Sequence, residues 1–130
     1  LEDYSHVIHI VSNIEGKLQE GKTLLEILRA LFPGGTITGV PKVRCMEIID
    51  ELEPVARGMY TGSIGYLGFN GEIDLNLVIR TFLLKEGQAY IQVGSGIVAD
   101  SDPLKEYEES LHKAEALIEA LKVESSFLYV

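Results

Sequence analysis

The sequence predicts an α+β fold, an antiparallel sheet flanked by helices. Three observations carry that reading. Two stretches with helical apolar spacing come early, at Thr23 to Leu31 and after Pro41. The middle then turns rich in β-branched, aromatic and glycine residues, punctuated by Asn70-Gly71 and Lys85-Glu86-Gly87. A last long helical pattern follows Asp102-Pro103. Helices and strands are segregated along the chain rather than alternating, which is the α+β arrangement.

The elements follow in order. Val7 to Val11 reads as a short strand, with Ile8 and Ile10 on one face and His9 opposite. In the first helix Leu24, Leu25, Leu28 and Leu31 share one stripe, and Pro33-Gly34-Gly35 breaks the chain beyond it. Pro41 suits the first turn of the second helix. Cys45, Ile48, Ile49 and Leu52 form its apolar face, and Pro54 stops it. Tyr60 to Phe69 is a strand by composition, and Asn70-Gly71 is a strong hairpin signal. Leu75, Leu77 and Ile79 alternate with Asn76, Val78 and Arg80, the pattern of a half-buried strand. Ala89 to Val93 is a third, completing an antiparallel meander. Asp102 caps the last helix, which runs to about Lys122 with Leu104, Tyr107, Leu111, Ala114, Leu117, Ile118 and Leu121 facing inward.

Composition narrows the function. The 130 residues form a single segment, long enough for one domain with a core of its own. The net charge of −9 argues against a nucleic-acid partner, which needs a basic footprint. It also means that an anionic ligand must be held by local devices: backbone N–H groups, a placed arginine or a bridging metal. No apolar run reaches the length of a bilayer span, so no membrane association is expected. The first residues have neither a basic n-region nor an apolar h-region, and a cytoplasmic location is the default. The chain does not begin with Met, as expected of a fragment or a processed chain. Its one cysteine, Cys45, excludes an internal disulfide.

Four constellations bear on chemistry. Gly34 and Gly39 have the glycine spacing of a phosphate loop, but Val40 and Pro41 stand where that loop needs Lys and Ser/Thr, so the reading is rejected. A glycine-rich connection into a helix remains, with two hydroxyls. Gly94-Ser95-Gly96-Ile97-Val98-Ala99 matches the dinucleotide fingerprint only weakly, because its helix starts late, behind Asp100 and Asp102. Those glycines either open backbone N–H groups to a carboxylate or form a bulge. Glu106 and Glu109 lie three apart on one helix face, where they hold a divalent metal such as Mg²⁺ or form a solvated acidic face. Arg80 suits a bidentate pair with a carboxylate or a surface salt bridge. His9 reads as a structural histidine or a site residue, and Tyr60 as core or site. Lys42 and Arg44 read as solvated helix residues.

The run from Phe32-Pro33-Gly34-Gly35-Thr36-Ile37-Thr38-Gly39-Val40-Pro41-Lys42 to Arg44 resembles the signature of the chorismate-binding enzyme family. The resemblance continues through Met46 to Pro54, Arg57-Gly58-Met59-Tyr60-Thr61-Gly62, Ile79-Arg80-Thr81, Gly94 to Ser101 and Glu106-Tyr107-Glu108-Glu109. It covers nearly the whole chain and implies the C-terminal part of the chorismate-binding fold. It implies Glu109 as a Mg²⁺ ligand with Glu106 beside it, and a metal that grips the ring carboxylate. Tyr60 and Arg80 are implied to bind the enolpyruvyl carboxylate, with Gly94 and Gly96 as backbone donors of the same pocket. Thr36 and His9 match positions that line the catalytic centre.

The resemblance also marks what is missing. Family enzymes have earlier sheets, a second pair of metal-side glutamates and, in many aminodeoxychorismate synthases, a nucleophilic lysine in Pro-Ile-Lys-Gly-Thr. None of these is in the chain, and Lys42 is not that lysine. The chain is therefore expected to be inactive alone and, with uncovered sheet edges and apolar faces, to self-associate. Pro-Gly-Gly-Thr-Ile-Thr-Gly resembles the aminodeoxychorismate-forming branch, on the way to para-aminobenzoate and folate. The implied reaction replaces the ring hydroxyl of chorismate with an amino group, using ammonia from a glutamine amidotransferase subunit. The anthranilate-forming branch and a non-catalytic assembly module stand as alternatives.

Overall fold

The structure, a computed structural model, describes residues 2–4, 7–9, 12–35 and 37–122, the first two segments for their backbone alone. The chain divides into two compact units, Leu1–Phe32 and Pro33–Val130. In the first, β1 (Glu2–Tyr4) pairs antiparallel with β2 (Val7–His9), His9 opposite Glu2. The expected strand from Val7 is present to His9, and Ile10 and Val11 lie outside the described residues. α1 (Leu24–Leu31) starts where Thr23-x-x-Glu26 spells a capping box. The Thr23 N–H donates to the Glu26 carboxylate at 2.8 Å, and the Glu26 N–H returns to the Thr23 hydroxyl at 3.3 Å. The Thr23 N–H first, and then the Thr23 hydroxyl, which donates to the same carboxylate at 2.8 Å, hold the Glu26 carboxyl below its ordinary range.

The second unit opens with a glycine-rich loop and α2 (Lys42–Leu52). Pro41, expected in the first turn, is instead the N-cap. Its backbone is extended, at φ −64° and ψ 137°, while its carbonyl accepts the first intrahelical bond from the Cys45 N–H at 3.0 Å. Pro54 holds Glu53 extended and ends the helix.

The expected three-strand meander is not formed. Two separate antiparallel hairpins replace it. β3 (Gly65–Leu67) pairs with β4 (Ile73–Leu75) around Asn70-Gly71, where Gly71 takes φ +87°. β5 (Phe82–Lys85), a strand the alternation did not reveal, pairs with β6 (Gln88–Ile91). Their two-residue turn, Glu86-Gly87, has φ +52° and +74°, the primed geometry that matches strand twist. The pattern from Leu75 to Arg80 misled because regular pleating ends at Leu75. Backbone bonds continue from the Asn76 N–H to Ile64, the Val78 N–H to Gly62 and the Thr61 N–H to Val78. Thr61 at φ +64° and Arg80 at φ +50° then leave the extended region altogether.

α3 (Pro103–Lys122) begins and ends as read from the sequence, with Asp102 accepting the Lys105 N–H at 3.0 Å. Its expected inward face is a correction. Ala114 is buried and Leu117 half-buried, whereas Leu104, Tyr107, Leu111, Ile118 and Leu121 are exposed. The same holds for α2, where Ile48 and Leu52 are exposed. Among the described hydrophobic residues only Val78 and Ala114 are buried, so the expected self-contained core is absent. Periodicity orients an apolar stripe but does not supply the layer that covers it. Two-stranded hairpins have too little surface to cover it themselves. A mostly apolar groove of about 570 Å³ lies open along Val55, Met59, Val78, Leu83, Ala89 and Ile91. The isolated 130-residue chain is therefore expected to bind a hydrophobic dye and to elute above its monomer mass with light-scattering detection. A monomer that ignores the dye would contradict this. Among the described residues no helix is long and apolar enough to cross a membrane.

Candidate functional site

A cleft of about 200 Å³ opens where the irregular parts of the second unit converge. Tyr60, Arg80, Gln92, Gly94 and Lys113 line it, with Ile37, Ile79 and Val93. Three of the four residues expected to bind substrate thus meet in one place. The left-handed backbone of Arg80 turns its side chain out of the line of β4 to reach that cleft. Tyr60 arrives from a tight turn, its N–H bonded to the Arg57 carbonyl at 3.0 Å. Burial raises its phenol pKa, against the pull of the neighbouring Arg57. A Cβ at Gly94 would stand 3.1 Å from the Tyr60 hydroxyl, so the missing side chain leaves that hydroxyl room. Gly96 has no atom within 4 Å of its would-be Cβ and does not line the cleft. Thr36 lies outside the described residues, as does the His9 side chain.

The two glutamates on α3 have separate partners. The Ser101 hydroxyl donates to the Glu106 carboxylate at 2.6 Å, while the Ser95 and Ser110 hydroxyls donate to the Glu106 carbonyl. Ser101 first, then Ser95, hold the Glu106 carboxyl below its ordinary range. Glu109 pairs with Lys113 at 2.5 Å, and the same ammonium donates to the Gly94 carbonyl at 3.3 Å. Lys113 thereby joins the acidic face to the cleft. Among the described residues no group of three or more His, Cys, Asp and Glu side chains is placed to hold a metal. Two carboxylates on one helix face are nonetheless the donor chemistry that Mg²⁺ takes, completed by water and substrate oxygens.

The sign of the Glu106 shift sets a pH dependence. A depressed carboxyl pKa gives stability that is present above the unfolded-state value and lost as pH falls through the folded one. Ser101→Ala is expected to move the Glu106 carboxyl titration, followed by carbon-13 NMR, back up toward the ordinary glutamate range and to shrink that acid-side loss. An unmoved titration would remove Ser101 as the cause.

The glycine-rich loop does not work as an anion cradle. Lys42, read as a solvated residue, donates to the Gly35 carbonyl, to the Gly34 carbonyl at 3.4 Å and to the Thr38 hydroxyl at 2.8 Å. The loop thus turns carbonyl oxygens onto an ammonium. Gly34 lies against Leu77, whose Cδ2 would be 2.6 Å from an added Cβ. Arg44 is the solvated residue expected, paired with Glu47 and Glu51 along its own helix.

A second cation, Arg57, contacts the turn of Tyr60 and the glycine-rich loop. Its Nε lies 2.9 Å from the Glu53 carboxylate, its Nη1 3.3 Å from the Thr61 hydroxyl and 3.5 Å from the Ile37 carbonyl. The guanidinium sits 5.5 Å from the centre of the Tyr60 ring. The ion pair raises the Arg57 pKa and lowers that of Glu53. Sequence reasoning assigned no role to Arg57 or Lys113. For Lys113 the signal was there, since it follows Glu109 by four residues on a helix. Gln92 and Ile37 carried no signal.

Residues 1–119 match the family of chorismate binding enzymes, so the chain belongs to that family. It is 60% identical over 94% of its length to an anthranilate synthase component I-like protein of Synechocystis, covering 25% of that protein. It is 57% identical over 95% of its length to aminodeoxychorismate synthase component 1 of Bacillus subtilis, covering 26% of it. It is 56% identical over 94% of its length to anthranilate synthase component 1 of Acetivibrio thermocellus, again covering 25%. The chain thus spans about a quarter of the length of the curated relatives it matches.

Proposed function

We propose that this chain is part of a cytoplasmic synthase subunit that aminates chorismate to 4-amino-4-deoxychorismate, on the route to para-aminobenzoate and folate. The observation that carries the reading is the cleft where Arg80, Tyr60 and Gly94 meet. A guanidinium, a phenol and an open glycine suit a carboxylate with an apolar body, and chorismate carries two carboxylates. In this reading Arg80 forks onto the enolpyruvyl carboxylate, and Tyr60 lies against it. Glu106 and Glu109 hold Mg²⁺, which when bound anchors and polarises the ring carboxylate. A glutamine amidotransferase subunit supplies ammonia. The remaining acid, base and nucleophile come from the rest of the parent subunit.

A second reading, formation of anthranilate, rests on the names of the Synechocystis and Acetivibrio relatives. The product separates the two. The full-length parent subunit, given Mg²⁺, ammonia and chorismate, is expected to yield aminodeoxychorismate by mass spectrometry. Anthranilate with pyruvate would establish the second reading, and untouched chorismate would remove both.

A further inference from the structure

Tyr60 and Ile37 both line the cleft, and neither is fixed by regular structure. Tyr60 lies in a turn, between Gly58 at φ +59° and Thr61 at φ +64°. Ile37 lies in the glycine-rich loop, twenty residues before Arg57. One side chain reaches both. Arg57 donates to the Ile37 carbonyl and to the hydroxyl of the buried Thr61, and stands over the Tyr60 ring. Its remaining nitrogens are held by Glu53, the C-cap of α2.

We infer that Arg57 is a positioning residue, whose guanidinium ties helix, turn and loop together and sets the place of Tyr60 in the cleft. The guanidinium has the geometry for this. Its planar fork serves Glu53 on one edge and two oxygens on another, while its central carbon stands over the ring. A lysine in its place keeps a charge but can hold only part of that set. Arg57 itself does not line the cleft, so its effect on a ligand passes through Tyr60.

The inference rests on the reading of the cleft as the chorismate site, and the test separates the two. In the full-length subunit Arg57→Ala is expected to raise the KM for chorismate about tenfold, with less effect on kcat. In a Tyr60→Ala background the same change is expected to add under about twofold, because the residue it positions is gone. Equal increments in both backgrounds, or an unchanged KM, would overturn the positioning role. Arg80→Ala serves as the control on the site, since an unaltered KM there removes the chorismate reading instead. A readout free of substrate decides the Arg57 role even then. Fluorotyrosine placed at position 60 should give one shifted fluorine resonance that moves toward the free amino acid in Arg57→Ala. An unmoved resonance would sink the inference. If the alanine variant does not fold, Arg57→Lys is measured the same way and is expected to move the resonance in the same direction.

Discussion

Replacing Arg80 by alanine in the full-length subunit should raise the KM for chorismate about a hundredfold. A hydrogen-bonded charge pair is worth about 1.5–3 kcal/mol, and the upper end is expected for a bidentate fork. Among the described residues Arg80 makes no ion pair. Arg80→Lys should lose about tenfold, keeping the charge but not the second bond. The backbone adds an independent check. At φ +50° glycine is more comfortable than arginine, so Arg80→Gly should weaken binding while leaving thermal stability unchanged or raised by about 1 kcal/mol. Steady-state kinetics with differential scanning calorimetry read both quantities. An Arg80→Ala enzyme within twofold of the parent KM would disprove the assignment of the cleft.

The largest structural effect is expected at Gly65. A Cβ there would lie 1.9 Å from the Asp74 carbonyl oxygen and 2.9 Å from the Leu75 Cα. Both are backbone atoms of the paired strand, so the clash cannot be relieved by turning a side chain. Relief requires β3 and β4 to separate, which should cost about 3 kcal/mol or more. The damage should also reach the cleft. The same ladder runs on through Ile64–Asn76 and Gly62–Val78 to Thr61, beside Tyr60. Gly65→Ala is therefore expected to lower the melting temperature and raise the KM for chorismate together. Gly96→Ala, which meets open space, should change neither by more than a small margin. Equal melting temperatures for the two variants would count against the pairing of β3 with β4.

The sequence was most informative where local chemistry decides the outcome. Thr23 and Glu26 fix the start of α1, Asp102 that of α3, and Asn70-Gly71 and Glu86-Gly87 mark two hairpin turns. It was least informative where a long-range partner decides. Leu104, Tyr107 and Leu111 have the spacing of a core face, yet spacing says nothing about what covers it, and they are exposed. Leu77 and Ile79 alternate like strand residues, but the chain leaves the pleat after Leu75. From residues alone Tyr60, Arg80, Gly94, Glu106 and Glu109 each had a structural explanation as good as a functional one. The family resemblance singled them out, and the fold brings the first three to one cleft. Arg57 escaped notice because an arginine four residues after a glutamate resembles an ordinary ion pair. Its importance lies in a carbonyl twenty residues away.

Thr61 and Arg80 both hold left-handed backbone, and the Thr61 N–H bonds the carbonyl of Val78, one of the two buried hydrophobic residues described. Such conformations cost about 1–3 kcal/mol each and persist only when the surrounding bonds over-determine them. The mouth of the cleft is thus shaped by main chain fixed during folding rather than by side chains choosing among rotamers as a ligand arrives. Little conformational entropy then remains to be lost on association. A ligand of the right shape should meet a ready-made surface, with one-step binding kinetics and no slow rearrangement after encounter.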